Sequence, residues 1–323
     1  MLPPSQFQPS HLINTVFIAG VTQEAIYNIL NKNDFSEDLT PEVLFSYPES
    51  KESITGSILE FVFSNGISVE YQNQPPKFNA IVLTNETGFR SYIYILKLYE
   101  EICYNNKSVF VPYSLCIWSP LNHSVSFKQI LIEMYRVMRS YELSISDETL
   151  INYHNCEIIH MIVFLSGILI PSSYTKLILN FHFSKVEFLF NSMFEIPKND
   201  NIKIMFDCLE ISTIIKLWCS LLCEKHIILL GNQAYLLFAV CESLLSLIFP
   251  FKWLHTYIPI LPYNQFDYLE SPTPYMIGVL SSRVDYSYLN ENYASHVICD
   301  INTSQINKNG VSFLSYNEES KLR

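Results

Sequence analysis

Glycine is scarce, with 8 in 323 residues, and none of them is followed by lysine. That removes the glycine-rich loop whose lysine cradles nucleotide phosphates. Neither Gly-x-Ser-x-Gly nor His-Glu-x-x-His occurs, so the serine elbow of a hydrolase and the two-histidine zinc helix are also excluded. Charged residues make up only 16% of the chain, and their balance gives a formal net charge of -11. Such a field opposes binding to nucleic acid or to an anionic membrane, and the expected partner is another protein. A secretory leader is missing as well, because MLPPSQFQPSHLINTVFIAG has no basic start and no continuous apolar stretch. Two runs come near a membrane span. Residues 158–170 fall short of the roughly 20 residues needed and carry His160, while 235–251 hold Glu242 and end at a proline. Both are expected to be buried helices in a cytosolic protein.

What is present suits a dry, folded interior. Hydrophobic residues reach 49% and aromatics 14%, enough to fill about two cores. Eight cysteines, at 103, 116, 156, 208, 219, 223, 241 and 299, lie in apolar surroundings and are expected to stay reduced in the cytosol. His154, Cys156 and His160 form one group of metal-ligand types, and Cys219 with Cys223 another. Neither offers four ligands, so no metal is expected. Four Asn-x-Ser/Thr matches, at Asn85, Asn106, Asn122 and Asn302, carry no weight in that compartment.

Periodicity predicts a strand over residues 12–20 and a helix over 22–31 with Thr22 as its cap. A short strand is expected between Pro41 and Pro48. Residues 57–63 and 67–71 read as a strand pair turning at Asn65-Gly66, a strong hairpin signal. Residues 78–84 and 89–99 form a second pair, 109–118 a further strand, and 126–141 a helix with one apolar stripe. The acidic, serine-bearing stretch 142–150 is the expected linker. Beyond it come a helix around 157–167, strands near 174–181 and 186–190, a polar loop at 197–201, and a helix over about 211–223. A wholly apolar strand at 226–230 and a helix over 233–249 follow; a strand of that kind suits a sheet covered on both faces. The fold class is thus α+β passing into α/β, in two lobes: residues 1–141, then 151–310, with a polar tail at 311–323.

After that last helix the chain reads PFKW (250–253), YIPILP (257–262) and SPTPYMIG (271–278). Each proline fixes φ and removes a backbone donor, so this connector is held extended and reads as scaffold. Phe251 and Trp253 are expected to pack the helix end onto its lobe. Glu224 and Lys225 are expected at the rim of the sheet, the lysine favoured by the end of the preceding helix.

Taken in order, PEVLFSYP (41–48), FVFSNG (61–66), FNAIVLT (78–84) with Gly88, Arg90 and Tyr92, VPYSLCIWS (111–119), LLCEKHIIL (221–229), LLSLIFPFKW (244–253), YIPILP and SPTPYMIG resemble the DENN-domain family across roughly residues 12–305. The resemblance implies an upstream longin-like lobe, made of an antiparallel sheet with helices, followed by a central α/β lobe. It also implies guanine-nucleotide exchange on a Rab family GTPase in vesicle traffic, through an inter-lobe surface that engages the GTPase switches. Phe63-Ser-Asn-Gly66 lacks the proline common at that turn in the family, and Ile93 follows Tyr92 where glycine is frequent. Family members commonly continue into a helical third segment, whereas this sequence stops at Arg323, so that segment is expected to be absent or divergent. The alternative reading is a non-catalytic DENN-fold module that holds a small GTPase or another DENN-like protein.

An exchange factor needs no nucleophile or proton shuttle, and it needs no cofactor because the nucleotide sits in the partner. No catalytic residues are assigned. Asn85, Glu86 and Arg90 on one polar turn, and Asp267 with Glu270 in the proline-bounded loop, are the expected interface residues, since an acidic chain meets basic or polar switch surfaces. Recruitment to vesicle or endosomal membranes is expected to be peripheral at most.

Overall fold

The computed structural model describes residues 11–32, 39–48, 54–104, 107–142, 148–171, 175–190, 201–282, 284–307 and 309. The chain is mixed α and β and divides into two compact units, one of residues 1–78 with 90–193, the other of residues 79–89 with 194–323.

The first five strands are β1 (Thr15–Gly20), β2 (Glu42–Tyr47), β3 (Lys77–Thr84), β4 (Arg90–Tyr104) and β5 (Lys107–Ser119), and they form one sheet in the order β2-β1-β5-β4-β3. The β4 and β5 strands pair antiparallel from Tyr92 opposite Ser119 to Tyr104 opposite Lys107. Helix α1 (Gln23–Lys32) starts with the Ile26 N–H donating to the Thr22 carbonyl at 3.1 Å, and it buries Ile26 and Leu30. Helix α3 (Ser124–Glu142) lays Phe127, Ile130, Leu131 and Met134, all fully buried, along one stripe.

One sequence expectation fails here. The run read as a strand at 57–63 is helix α2 (Gly56–Val62). Its Leu59 and Val62, with Phe63 just beyond, are buried at helical spacing, while Thr55 opens the turn by accepting from the Ile58 and Leu59 N–H groups at 3.0 and 3.3 Å. Asn65-Gly66 ends this helix instead of turning a hairpin: Gly66 takes φ +78° and its N–H donates to the Phe63 carbonyl at 2.7 Å. A short apolar run bounded by turn residues satisfies either period, and tertiary burial decides between them. The paired stretch expected at 67–71 is reduced to an isolated bridge between Glu70 and Phe110.

A second expectation concerned the junction at 142–150. Residues 143–147 lie outside those described, and helix α4 (Glu148–Ser166) begins earlier than the 157–167 expected. The first unit runs on to Met193 instead of closing at 141. The hairpin of β6 (Lys176–Asn180) and β7 (Lys185–Leu189) packs against α3, where Phe127 meets Phe188 with ring centroids 5.2 Å apart and the Ser126 hydroxyl donates to the Glu187 carbonyl at 2.6 Å. The end of α4 is tied to the chain start by the Leu12 N–H donating to the Ile168 carbonyl at 2.8 Å. Composition marked a linker there, but apolar contacts across it keep its far side in the first unit.

Ser119, fully buried, holds that start in place. Its hydroxyl donates to the Leu12 carbonyl at 2.7 Å and accepts the Leu121 N–H at 3.1 Å. Ser119→Ala leaves both backbone groups without this partner, and the expected loss is about 2 kcal/mol, read as a lowered urea midpoint with an unchanged slope.

In the second unit, α5 (Ile202–Cys208) and α6 (Ile211–Leu222) precede β8 (Ile227–Gly231), and α7 (Ala234–Leu247) follows it. Then come β9 (Thr256–Ile258), a 3-10 turn (Phe266–Glu270), β10 (Tyr275–Leu280), α8 (Tyr286–Asn292), β11 (Val297–Asp300) and β12 (Gln305–Ile306). The sheet order is β12-β11-β8-β10-β9, with β11, β8, β10 and β9 parallel and β12 antiparallel. Every residue of β8 and β10 is buried, as a strand covered on both faces requires. One face of the sheet, Ile228, Leu230, Tyr275, Ile277, Val279 and Ile298, packs with Leu261, Leu269 and Leu289 into a single apolar cluster. This packing seats the 3-10 turn and α8 side by side over the strands.

The proline connector splits its aromatic pair. Trp253 is buried, with its indole N–H donating to the Thr256 carbonyl at 3.2 Å, whereas Phe251 is 71% exposed. Of this aromatic pair only the tryptophan packs onto the lobe. Glu224, exposed and with φ 52°, pairs with the His255 Nε2 at 3.1 Å, so the rim position expected for it holds.

Candidate functional site

The packing of the 3-10 turn beside α8 leaves a groove of about 350 Å³ on the second unit, lined by Leu269, Glu270, Tyr288, Asn292, Tyr293 and His296 among others. Local sequence explains its walls. Asp285 caps α8 by accepting the Tyr288 N–H at 2.7 Å, and that register puts Tyr288 and Asn292 one turn apart. Asn292 donates its side-chain N–H to the Tyr288 carbonyl at 2.8 Å, which leaves the amide oxygen as its spare acceptor. On the opposite side Leu269 is fully buried and anchors the turn that carries Asp267 and Glu270, both exposed.

Beneath the groove the aromatic groups meet edge to face. His296 lies 5.6 Å from the Tyr293 ring centroid at 75° and 4.9 Å from His226 at 83°. Tyr275 stands 4.8 Å from His226, and its hydroxyl donates to the Leu269 carbonyl at 2.9 Å. Burial lowers the pKa of His296, His226 adds to the effect, and the Tyr293 carbonyl near Nδ1 opposes it. The phenol of Tyr293 is raised, first by burial and then by Tyr288, Glu270 and Asp267. Near neutral pH the His296 imidazole is therefore neutral and the Tyr293 phenol protonated.

The lowered His296 has a consequence for stability. Between its folded value and about 6.5 the unfolded chain binds more protons, so this contribution is present at higher pH and is lost as pH falls through that window. Acidification from roughly pH 7.5 to about 5 is expected to lower the urea midpoint of the second unit, and His296→Gln is expected to remove part of that dependence.

The residues singled out from sequence lie on separate elements. Asn85, Glu86 and Arg90 belong to the turn from β3 into β4, and Asn85 is spent on building it. Its side-chain oxygen accepts from the Thr87 N–H at 3.1 Å, the Thr87 hydroxyl at 2.7 Å and the Phe89 N–H at 2.8 Å. Gly88 completes the turn with φ +78°. Glu86 is exposed and Arg90 half-buried. Asp267 and Glu270 share the 3-10 turn, and Glu270 lines the groove. The four other groove residues used above, Tyr288, Asn292, Tyr293 and His296, escaped the sequence reading. For Tyr288, Asn292 and Tyr293 the only trace was the clustering of tyrosine and asparagine in DYSYLNENY (285–293), which is equally the signature of a solvated helix face, and His296 left none.

Among the described residues no cluster of three His, Cys, Asp or Glu side chains could hold a metal ion. Cys219 is buried and Cys223 exposed, and the side chains of His154 and Cys156 fall outside those described. No helix among the described residues is long and apolar enough to cross a membrane. The groove offers acceptors and ring faces and suits the reversible recognition of a partner.

The fold is that of a mixed α and β protein. The family is given by its sequence: the uDENN domain model matches residues 41–98 and the DENN (AEX-3) domain model residues 110–304. The chain belongs to the DENN-domain family. It is 30% identical over 260 residues to Myotubularin-related protein 5 of Caenorhabditis elegans, an alignment covering 79% of this chain and 14% of that protein. With DENN domain-containing protein 1B of Mus musculus it shares 25% identity over 274 residues, 84% of this chain and 33% of that one. A shorter match to DENN domain and WD repeat-containing protein SCD1 of Arabidopsis thaliana reaches 42% over 108 residues, 33% of this chain and 9% of that protein. The chain thus spans a third or less of each of these relatives.

Proposed function

We propose that the protein is a DENN-type guanine-nucleotide exchange factor that promotes GDP release from a Rab family small GTPase in vesicle traffic. What supports this reading is the succession of uDENN and DENN segments along most of the chain, in a family that generally acts on Rab GTPases. In it, the first unit is the upstream, longin-like lobe and the second the central α/β lobe. Asn85, Glu86, Arg90, Asp267 and Glu270 are interface residues, the Asn85 side-chain oxygen also supporting its own turn. Recruitment to vesicle or endosomal membranes is peripheral.

The mechanism requires only differential binding. A protein that prefers the nucleotide-free GTPase weakens GDP by the same factor by which GDP weakens it, because the coupling is reciprocal. Affinities for nucleotide-free and GDP-loaded Rabs, measured by calorimetry across a panel, are expected to differ by roughly 100-fold for the cognate member. Equal affinity for both forms of every Rab that binds would identify a holding module instead, and binding to none would overturn the exchange reading.

A further inference from the structure

We propose that the groove between the 3-10 turn and α8 is a recognition site for the guanidinium group of an arginine side chain presented by a polypeptide partner. The inference goes beyond exchange activity and does not depend on it.

The ligand follows from what the walls offer. Glu270 supplies a carboxylate and Asn292 an amide oxygen, one of its two N–H groups being held by the Tyr288 carbonyl at 2.8 Å. Tyr288, which is 52% exposed, and Tyr293 supply ring faces. A space walled by acceptors and π faces favours a cation. No lysine or arginine lines the groove, and neither Asp267 nor Glu270 has a salt-bridge partner among the described residues. Among the described residues, then, the groove's carboxylate has no cation of its own.

Guanidinium fits better than ammonium. It is planar, sheds water more readily, stacks on a tyrosine ring and can engage a carboxylate through two parallel N–H bonds. A volume of about 350 Å³ holds one such side chain and is too small for a folded element. The occupant is therefore a single arginine projecting from a partner's surface, and the field around Asp267 and Glu270 would draw in that basic surface.

The test uses the whole chain and a probe of defined chemistry, the methylamide of Nα-acetyl-arginine, with the His296 ring resonances as reporter. A saturable shift is expected. The citrulline analogue, which keeps the shape and loses the charge, is expected to bind at least about tenfold more weakly, and Glu270→Gln is expected to cost about tenfold for arginine. Tyr288→Leu removes an exposed ring without touching the core and is expected to weaken arginine several-fold. Absence of saturation with arginine, equal binding of citrulline, equal or tighter binding of the lysine analogue, or an unchanged affinity in Glu270→Gln would each overturn the proposal. A chain that binds arginine yet releases no GDP from any Rab would uphold this site while removing the exchange reading. The converse result would do the opposite.

Discussion

Gly278→Ala is expected to cost the second unit about 3 kcal/mol or more, enough to shift its unfolding transition well below that of the parent chain. A methyl group built on Gly278 would lie 2.0 Å from the Pro259 carbonyl oxygen and 2.9 Å from its carbon, with the Leu237 side chain at 3.5 Å behind it. Pro259 belongs to the stiff YIPILP segment, whose main chain is fastened to the same residue by the Leu261 N–H donating to the Gly278 carbonyl at 2.8 Å. The strand cannot step aside, because β10 is paired to β8 at Gly278–Leu229 and to β9 at Ile277–Ile258. Relief therefore has to break one ladder or push the connector off the sheet. Gly56→Ala is the matching control. Nothing lies within 4 Å of a methyl group there, so an effect within about 1 kcal/mol is expected. Urea unfolding followed by tryptophan fluorescence, to which Trp218 and Trp253 contribute in this unit, would separate the two variants, and a Gly278→Ala chain as stable as the parent would mean that Pro259 does not approach this closely.

The second large effect belongs to the first unit. Tyr94→Ala is expected to remove about 5 kcal/mol, comparable with the whole stability of a small domain. The Tyr94 ring is fully buried and stacks on Phe127 with centroids 4.6 Å apart, on Tyr92 at 6.3 Å and on Phe78 at 6.5 Å. Its hydroxyl donates to the Leu121 carbonyl at 2.7 Å and accepts the His123 N–H at 2.9 Å, which fixes the turn that leads into α3. Truncation empties the ring site and strips both backbone groups of this partner. Tyr94→Phe keeps the stack and loses only the hydroxyl, so about 2 kcal/mol is expected for it. The difference between the variants measures packing, and the loss in Tyr94→Phe measures the turn. If both lost equally little, the stacked cluster would not be the core of this unit.

These two positions show what sequence makes legible. The SPTPYMIG and YIPILP blocks stood out because each proline fixes φ and removes a backbone donor, and the structure brings the two blocks within van der Waals range of one another. The amphipathic stripe of α3 and the wholly apolar β8 were equally plain, since each has one period and one burial solution. Residues 57–71 were misread because their apolar spacing satisfied both periods and Asn-Gly serves a helix end as well as a hairpin. Contacts such as Phe127 with Phe188, which join the first unit across the 142–150 stretch, span 61 positions, a separation that local composition cannot register.

The candidate site was legible only in part. Glu270 was chosen for its charge and loop position, and it does line a groove. The tyrosines, Asn292 and His296 that give the groove its chemistry look like ordinary polar surface until α8 is laid beside the 3-10 turn. Asn85 was chosen on the same grounds as Glu270, and its side chain proved to be committed within its own turn. In that turn the carbonyl of a polar side chain satisfies backbone donors, which sequence alone does not distinguish from an oxygen available to a partner.

Exchange activity is tested most directly by the rate at which a fluorescent GDP analogue leaves each of a panel of Rab GTPases, with excess unlabelled nucleotide, in the presence and absence of the purified chain. At least one Rab is expected to release its nucleotide faster in proportion to the concentration of the chain, with the others unaffected. Release at the intrinsic rate from every Rab in the panel would contradict the proposed function.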